Sequence, residues 1–546
     1  MTRSGITFHH PVAFWLGTVA LTGGVCAHLP MFIAMAPMGY RMAGMAVDTT
    51  MTAGMILIVL GLLGSVYGLV PRMSALTHAV ITDEERALLL VTADNAPLTR
   101  AHGKVLLVLV LALVIDIMKP ATLGFVIPGM SDEYGISKQT GSLLAFTALT
   151  GTALGSVIWG VLADRLGRRS AILISSLMFV GTSICGSMPS FEWNLFMCFL
   201  MGASAGGLLP IVFTLLAEIV PTSHRGWLLV LLGGLGTTGG YLAASAFATW
   251  LEPQFGWRIL WFLNLPTGLA LIIVNRYLPE SPRFLVHVGK SDEARAMLAR
   301  YGATVAQAAP SQRPPAAAER ERSAMRLLFG PRIVALTVGL IVCGIAWGLV
   351  NFGFLLWLPT NLRAMGYATG AANALLAKSA VLALPGAVLV TWMYHRWSSF
   401  KTLALFICIT AAALLGFFAA SMGAGGDTAL LSVLTIVLLI SVSGVIAMLI
   451  PYATEIYPVA VRGTGSGVVA GSSKLGGIVA AGLGVLGLLA NLGASAVVLA
   501  LPLLASAAIL IVKGIETRGR SLETIRPQTP AVPQTAGVGR AGSLPD

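Results

Sequence analysis

Long apolar runs separated by short polar breaks occupy most of this chain, and they are too long and too frequent for the core of a soluble domain. Crossing a hydrocarbon layer about 30 Å thick takes about 20 helical residues. Runs of that order lie near residues 11–36, 50–70, 104–127, 140–162, 170–188, 193–217, 227–250 and 258–278. Six more lie near 332–358, 372–394, 402–421, 428–451, 464–487 and 491–513. The pattern predicts an all-α membrane protein with fourteen transmembrane helices. Two lead, and the remaining twelve form two sets of six.

Polar stretches divide the chain between these sets. Residues 71–103 connect the leading pair to the first set and hold a candidate short helix at TDEERALLL. Residues 279–331 separate the two sets and contain AQAAPSQRPPAAAERER, the composition of a flexible linker. The tail after Glu523 is rich in Pro, Gly, Thr and Gln, and it predicts disorder. The expected organisation is an N-terminal extension over 1–103, a six-helix bundle over 104–279 and a cytoplasmic loop over 280–331. A second bundle then covers 332–513, and a cytoplasmic tail 514–546.

Charge tests this map independently. Only 10% of the 546 residues are charged, yet the formal net charge is +12. With the N-terminus in the cytoplasm, Arg41, Lys138, Arg258 and Arg363 fall outside, and Lys119, Lys378 and Lys474 fall within the membrane. The other 27 of the 34 basic residues fall in cytoplasmic segments. That bias follows the positive-inside rule and places both termini in the cytoplasm. It also assigns the positive charge to the lipid headgroup zone rather than to nucleic acid. The five cysteines all lie in apolar segments with no C-x-x-C pair, and the histidines show no ligand spacing. No nucleophile–base pattern, phosphate loop, metal set or cofactor motif is present, so a transporter is expected rather than an enzyme.

An internal repeat strengthens that expectation. Residues 218–226 read EIVPTSHRG and residues 455–463 read EIYPVAVRG, both fitting E-I-x-P-x-x-x-R-G. The same 237-residue offset carries Gly234, Gly239 and Gly240 onto Gly471, Gly476 and Gly477. The chain thus contains two copies of a six-helix unit, with the leading pair outside the duplication. In each copy the glutamate ends one helix, proline forces the turn and Arg-Gly opens the next helix. Charges held at equivalent places in two rigid halves suit partner exchange when the halves rock.

These motifs, with three others, resemble those of the major facilitator transporters. Gly160–Arg169 reads GVLADRLGRR, Pro279–Leu285 reads PESPRFL and Glu516–Glu523 reads ETRGRSLE. The last two resemble paired signatures of sugar-porter-like members and their organic-ion relatives. The resemblance implies a fold of two pseudo-symmetric bundles and a charge network that locks the cytoplasmic side. In the first half that network is Asp164, Arg165, Arg168, Arg169, Glu218, Arg225, Glu280 and Arg283. In the second it is Glu455, Arg462, Glu516 and Arg520, while the second copy of the D-R loop is degraded to TWMYHRWSSFK.

Ionisable groups at membrane depth are costly and mark function. Asp116 and Lys119 lie three residues apart in ALVIDIMKPATLGF, on one face of the first core helix, where they can pair. Asp116 is the expected proton-coupling residue. Lys119 and Lys474 are expected to bind substrate, Lys474 by resemblance to the base that holds carboxylate in organic-acid symporters. Asn351 and Trp357, in NFGFLLWLPTNL, resemble the matching stretch of metabolite–proton symporters and are expected at the same site. Lys119 stands where such symporters carry a second acid, and Cys198 where the fourth core helix usually carries arginine. Lys378, one turn inside its span, is expected to snorkel outward.

The expected function is alternating-access, proton-coupled uptake of a small organic anion by a monomer in a bacterial inner membrane. Its partners are that anion, protons and membrane lipid. The alternatives are a proton antiporter exporting hydrophobic compounds and a transporter-like solute sensor. The fifth core helix reads GGLGTTGG without the proline usual in exporters, which favours import. The leading pair receives no role from the sequence.

Overall fold

The computed structural model describes residues 9–69, 97–302, 329–330, 333–422, 428–457, 462–489 and 491–517. The candidate helix at TDEERALLL, the Ala/Pro-rich linker core and the tail beyond residue 517 lie outside them.

Among the described residues, fourteen helices are long and apolar enough to cross a membrane. The leading pair is α1 (Pro11–Ala34) and α2 (Thr49–Leu69). The first bundle is α3 (Arg100–Tyr134), α4 (Lys138–Leu166), α5 (Arg168–Ser187), α6 (Phe191–Ile219), α7 (Thr222–Phe255) and α8 (Ile259–Tyr277). The second is α9 (Val334–Ala364), α10 (Thr369–Arg396), α11 (Ser399–Met422), α12 (Thr428–Ile456), α13 (Thr464–Val485) and α14 (Leu492–Lys513). Several run well past the apolar stretch that announces them. α3 gains a turn at its start, where the Thr99 and His102 side chains form a capping box, and it continues to the left-handed Gly135.

An even number of spans puts the start of α1 and the end of α14 on the face where α8 ends and α9 begins, here called the linker face. On that face residues 279–302 are not all loose linker. Ser281 caps a short helix over Pro282–His287, and a second helix over Ser291–Arg300 buries Ala294, Met297 and Leu298.

The leading helices form a close antiparallel hairpin. Gly54, Gly61 and Gly68 on α2 face Gly24, Leu21 and Phe14 on α1 so tightly that a Cβ would strike backbone atoms. Glycine every seven residues keeps this seam on one helix face, and such seams are how membrane helices gain packing energy without a hydrophobic drive. Thr18 and Ser65 hydrogen-bond within it at 3.4 Å. His28 is fully buried and its Nδ1 lies 2.9 Å from the Gly24 carbonyl oxygen.

The two bundles meet along α7 with α10 and α4 with α13. Their polar cross-links lie at the far face, opposite the linker. Lys138 donates to Asn361 at 2.9 Å, and Glu252 accepts from Arg363 and Asn373, both at 2.7 Å. Gly124 of α3 abuts the Leu356 carbonyl of α9 with no room for a methyl group.

Candidate functional site

A cavity of about 480 Å³ lies between the bundles, within the range of small-molecule sites. α3 contributes Asp116, Ile117, Pro120 and Ala121, and α7 contributes Thr237 and Tyr241. Across from them stand Trp347 and Asn351 on α9 and Ser473 and Lys474 on α13. The rest of the wall is mostly apolar. It extends to Val157 on α4 and Gly467 on α13, near the linker-face ends of those helices. The far-face cross-links close the opposite end of the cavity.

Asp116 is 4% exposed, and one of its carboxylate oxygens has no hydrogen-bond partner. It lies in the Coulomb field of both Lys474 and Lys119. An acid from one bundle and a base from the other therefore share a low-dielectric chamber. The Tyr241 hydroxyl, also buried without a partner, adds a donor beside them. Trp347 donates its indole N–H to the Val442 carbonyl at 2.9 Å, which fixes the ring against the cavity.

The structure thus brings Asp116, Lys474 and Asn351 together and separates two residues expected with them. Lys119 does not line the cavity, and its ammonium has no hydrogen-bond partner. It turns to α5, 2.6 Å from the centre of the Phe179 ring, and is 1% exposed. The cavity stripe on α3 runs through 116, 117, 120 and 121, and position 119 falls roughly 130° away at about 100° per residue. Asp116 and Lys119 do not pair, despite their spacing. Trp357 is also buried outside the cavity wall, 5.5 Å from the Lys138 ammonium, at the end of a 3₁₀ turn over Leu355–Trp357 whose first two residues do line the cavity. Lys378 is exposed, away from the cavity.

The motif charges gather at the linker face, where the Glu455 carboxylate of the second bundle lies against Gly226 of the first. Arg168 pairs with Asp164 at 3.1 Å and with Glu218 at 3.2 Å. Glu280 accepts the backbone N–H of Arg168 at 2.8 Å, and also those of Arg169 and Ser281. Burial pushes the Glu280 carboxyl above its usual range, and those N–H donors oppose the shift. Arg169 is bound to the Asn275 and Arg276 carbonyls, and Arg225 to that of Val220. In the second bundle Glu455 accepts from Tyr394 at 2.8 Å and Thr517 at 2.6 Å, and Glu516 accepts from Ser398 and Ser399. Arg165 and Arg283 are exposed. Arg520 and the Arg462 side chain lie outside the described residues.

Sequence reasoning missed Tyr241, Thr237 and Trp347, which sit in glycine-rich or plain apolar runs without a signal of their own. It also missed the far-face pairs. Lys138 and Arg363 were legible as outer charges, but nothing local links them to Asn361 and Glu252.

The profile described as Major Facilitator Superfamily matches residues 109–481, which leaves α1 and α2 outside the match. The chain is 27% identical to a niacin transporter of Acinetobacter baylyi over 440 residues, 79% of this chain and 98% of that one. It is 29% identical to a 4-hydroxybenzoate transporter of Pseudomonas putida over 444 residues, 77% of this chain and 94% of the relative. A gallate transporter of the same organism is 28% identical over 443 residues, covering 76% and 93%. The solved proton:xylose symporter XylE bound to 6-bromo-6-deoxy-D-glucose superposes with a TM-score of 0.62 at 18% identity, over 78% of this chain and 98% of that one. At that identity the likeness speaks to the fold.

Proposed function

The chain belongs to the Major Facilitator Superfamily and is a membrane transporter, and from that premise we propose that it takes up a small aromatic carboxylate together with protons. The observation that carries this reading is Asp116 and Lys474 on opposite walls of one cavity. Lys474 offers the solute's carboxylate a charge-assisted bond. The ring fits the apolar wall between Trp347, Phe352 and Tyr241. A carboxylate that occupies Lys474 takes away the cation that Asp116 faces. An ionised Asp116 then keeps only the field of Lys119, which it does not contact, and a proton is the least costly replacement for the cation it loses. Anion and proton thus load together before the halves rock. The niacin, 4-hydroxybenzoate and gallate transporters among the relatives are named for aromatic carboxylates, which supports this solute class.

In this reading the linker face is cytoplasmic, which the distribution of basic residues supports, and the conformation described here has its far face closed. The motif charges at that face form the lock that closes it in the opposite state. The test is uptake by purified protein in liposomes under an imposed inward proton gradient, with a panel of aromatic carboxylates. Gradient-driven accumulation is expected, with Asp116→Asn losing the gradient dependence while exchange persists. If no carboxylate accumulates, the solute class is wrong. If Asp116→Asn matches the parent chain, the coupling assignment is wrong.

A further inference from the structure

The hairpin α1–α2 packs on the first bundle, and its loop reaches the far-face seam. The Met42 and Ala43 N–H groups donate to Glu133 of α3 at 2.7 and 2.9 Å, and Gly44 donates to the Pro189 carbonyl at 2.9 Å. Glu133 is itself fixed by Arg258 at 2.8 Å and by the Trp257 indole N–H at 2.8 Å. Phe32 packs on Phe262 of α8, and Tyr40 on Phe255 at the end of α7. Tyr40 holds a left-handed backbone at φ 61°, an unusual state for a side chain of that size that the surrounding contacts must maintain. Every one of these anchors belongs to the first bundle.

What the anchored loop presents is Arg41. This residue is exposed, makes no ion pair among the described residues, and lines a cavity of about 270 Å³ at the far face. The same cavity is lined by Glu252 of the first bundle and by Arg363 and Thr369 of the second. Glu252 and Arg363 form the cross-link that must break when the far face opens, and the Glu252 side chain is only 6% exposed. Opening therefore removes the partner of a buried carboxylate, and a charge stranded in that way opposes the motion.

We infer that the leading hairpin serves as a counter-ion arm: Arg41, held on the same rigid body as Glu252, takes over that carboxylate when Arg363 departs with the second bundle. The exchange keeps Glu252 paired in both states and lowers the energy of the far-face-open conformation. It assigns a role to the two helices that lie outside the family match, and it rests on alternating access alone.

The test is a distance measurement that needs no solute, so its outcome is separate from that of the uptake experiment. Spin labels are placed at Glu192→Cys and Ala371→Cys, exposed positions on the two bundles at the far face, in the full chain with its five native cysteines replaced. In an Arg363→Gln background, which removes the cation facing Glu252 and leaves only the Asn373 amide on it, the open far face is expected to be populated. Arg41→Gln is expected to reduce that population about five-fold, the lower end of ordinary coupling between sites. Arg41→Lys should retain most of it, and adding Glu252→Gln should abolish the effect of Arg41→Gln. The inference is overturned if Arg41→Gln leaves the distance distribution unchanged, if its effect persists without the Glu252 charge, or if the far face stays closed whatever stands at position 41.

Discussion

Lys119 and Lys474 carry the same side chain into the same hydrophobic slab, and their surroundings give them different work. Lys474 opens into the central cavity, whereas Lys119 is sealed between α3 and α5 against Phe179. A residue's contribution to solute binding depends on whether its charge is desolvated with the solute or away from it. Lys474→Met is therefore expected to weaken carboxylate binding about ten- to a hundred-fold, the loss of one charge-assisted hydrogen bond. Lys119→Met is expected to leave the affinity within about two-fold, because its ammonium does not reach the solute. Isothermal titration of both variants with the best carboxylate from the uptake panel separates the two. Equal losses would place Lys119 back in the site.

Individual elements owe their placement to a few close contacts. Gly61 of α2 lies against the Leu21 backbone with no space for a side chain, so Gly61→Val must spread the hairpin. Overpacking of this kind costs about 1–3 kcal/mol. A disulfide engineered from Thr18→Cys and Ser65→Cys, at the hydrogen-bonded pair inside the seam, is expected to form readily in the parent hairpin and poorly with Gly61→Val. At the linker face Glu280 gathers the first amide N–H groups of α5 together with that of Ser281. Glu280→Ala leaves those donors unmatched, at a cost of about 1–3 kcal/mol. A lower midpoint in detergent-solubilised thermal unfolding checks this. An unchanged midpoint would mean that the carboxylate caps nothing of consequence.

At the scale of the molecule, the contacts that hold the far face shut are candidate switches. Gly124 on α3 meets the Leu356 carbonyl on α9 across the seam. A Gly124→Val side chain cannot fit there while the far face is closed, and it fits once the bundles part. This substitution is expected to favour the far-face-open state, read as a longer distance between labels at Glu192→Cys and Ala371→Cys. A simple loss of fold would instead lower the thermal midpoint and broaden the distances without a defined second population. Interfaces between rigid bundles are bistable rather than continuously deformable, so one bulky group should select a state rather than bend the structure.

The sequence by itself determined the fourteen spans, their grouping into two leading and twelve core helices, and the duplicated unit. It also placed the motif charges at one face, and all of this was legible for the same reason. Hydrophobic length and basic-residue bias are set by the bilayer, an environment common to every residue along the chain, so a one-dimensional reading sees them. Asp116 and Lys474 could be singled out because a charge in an apolar run is conspicuous wherever it points. Which charges meet was decided only by tertiary structure. Helix rotation sent Lys119 away from the stripe that carries Asp116 and Trp357 away from the stripe that carries Asn351 and Leu355, and packing brought Tyr241 and Thr237 into the cavity. The far-face pairs join residues more than a hundred positions apart, and the hairpin loop reaches them only through its anchors on Glu133 and Pro189. Contacts of that kind depend on how helices pack against one another, and no local pattern along the chain encodes them.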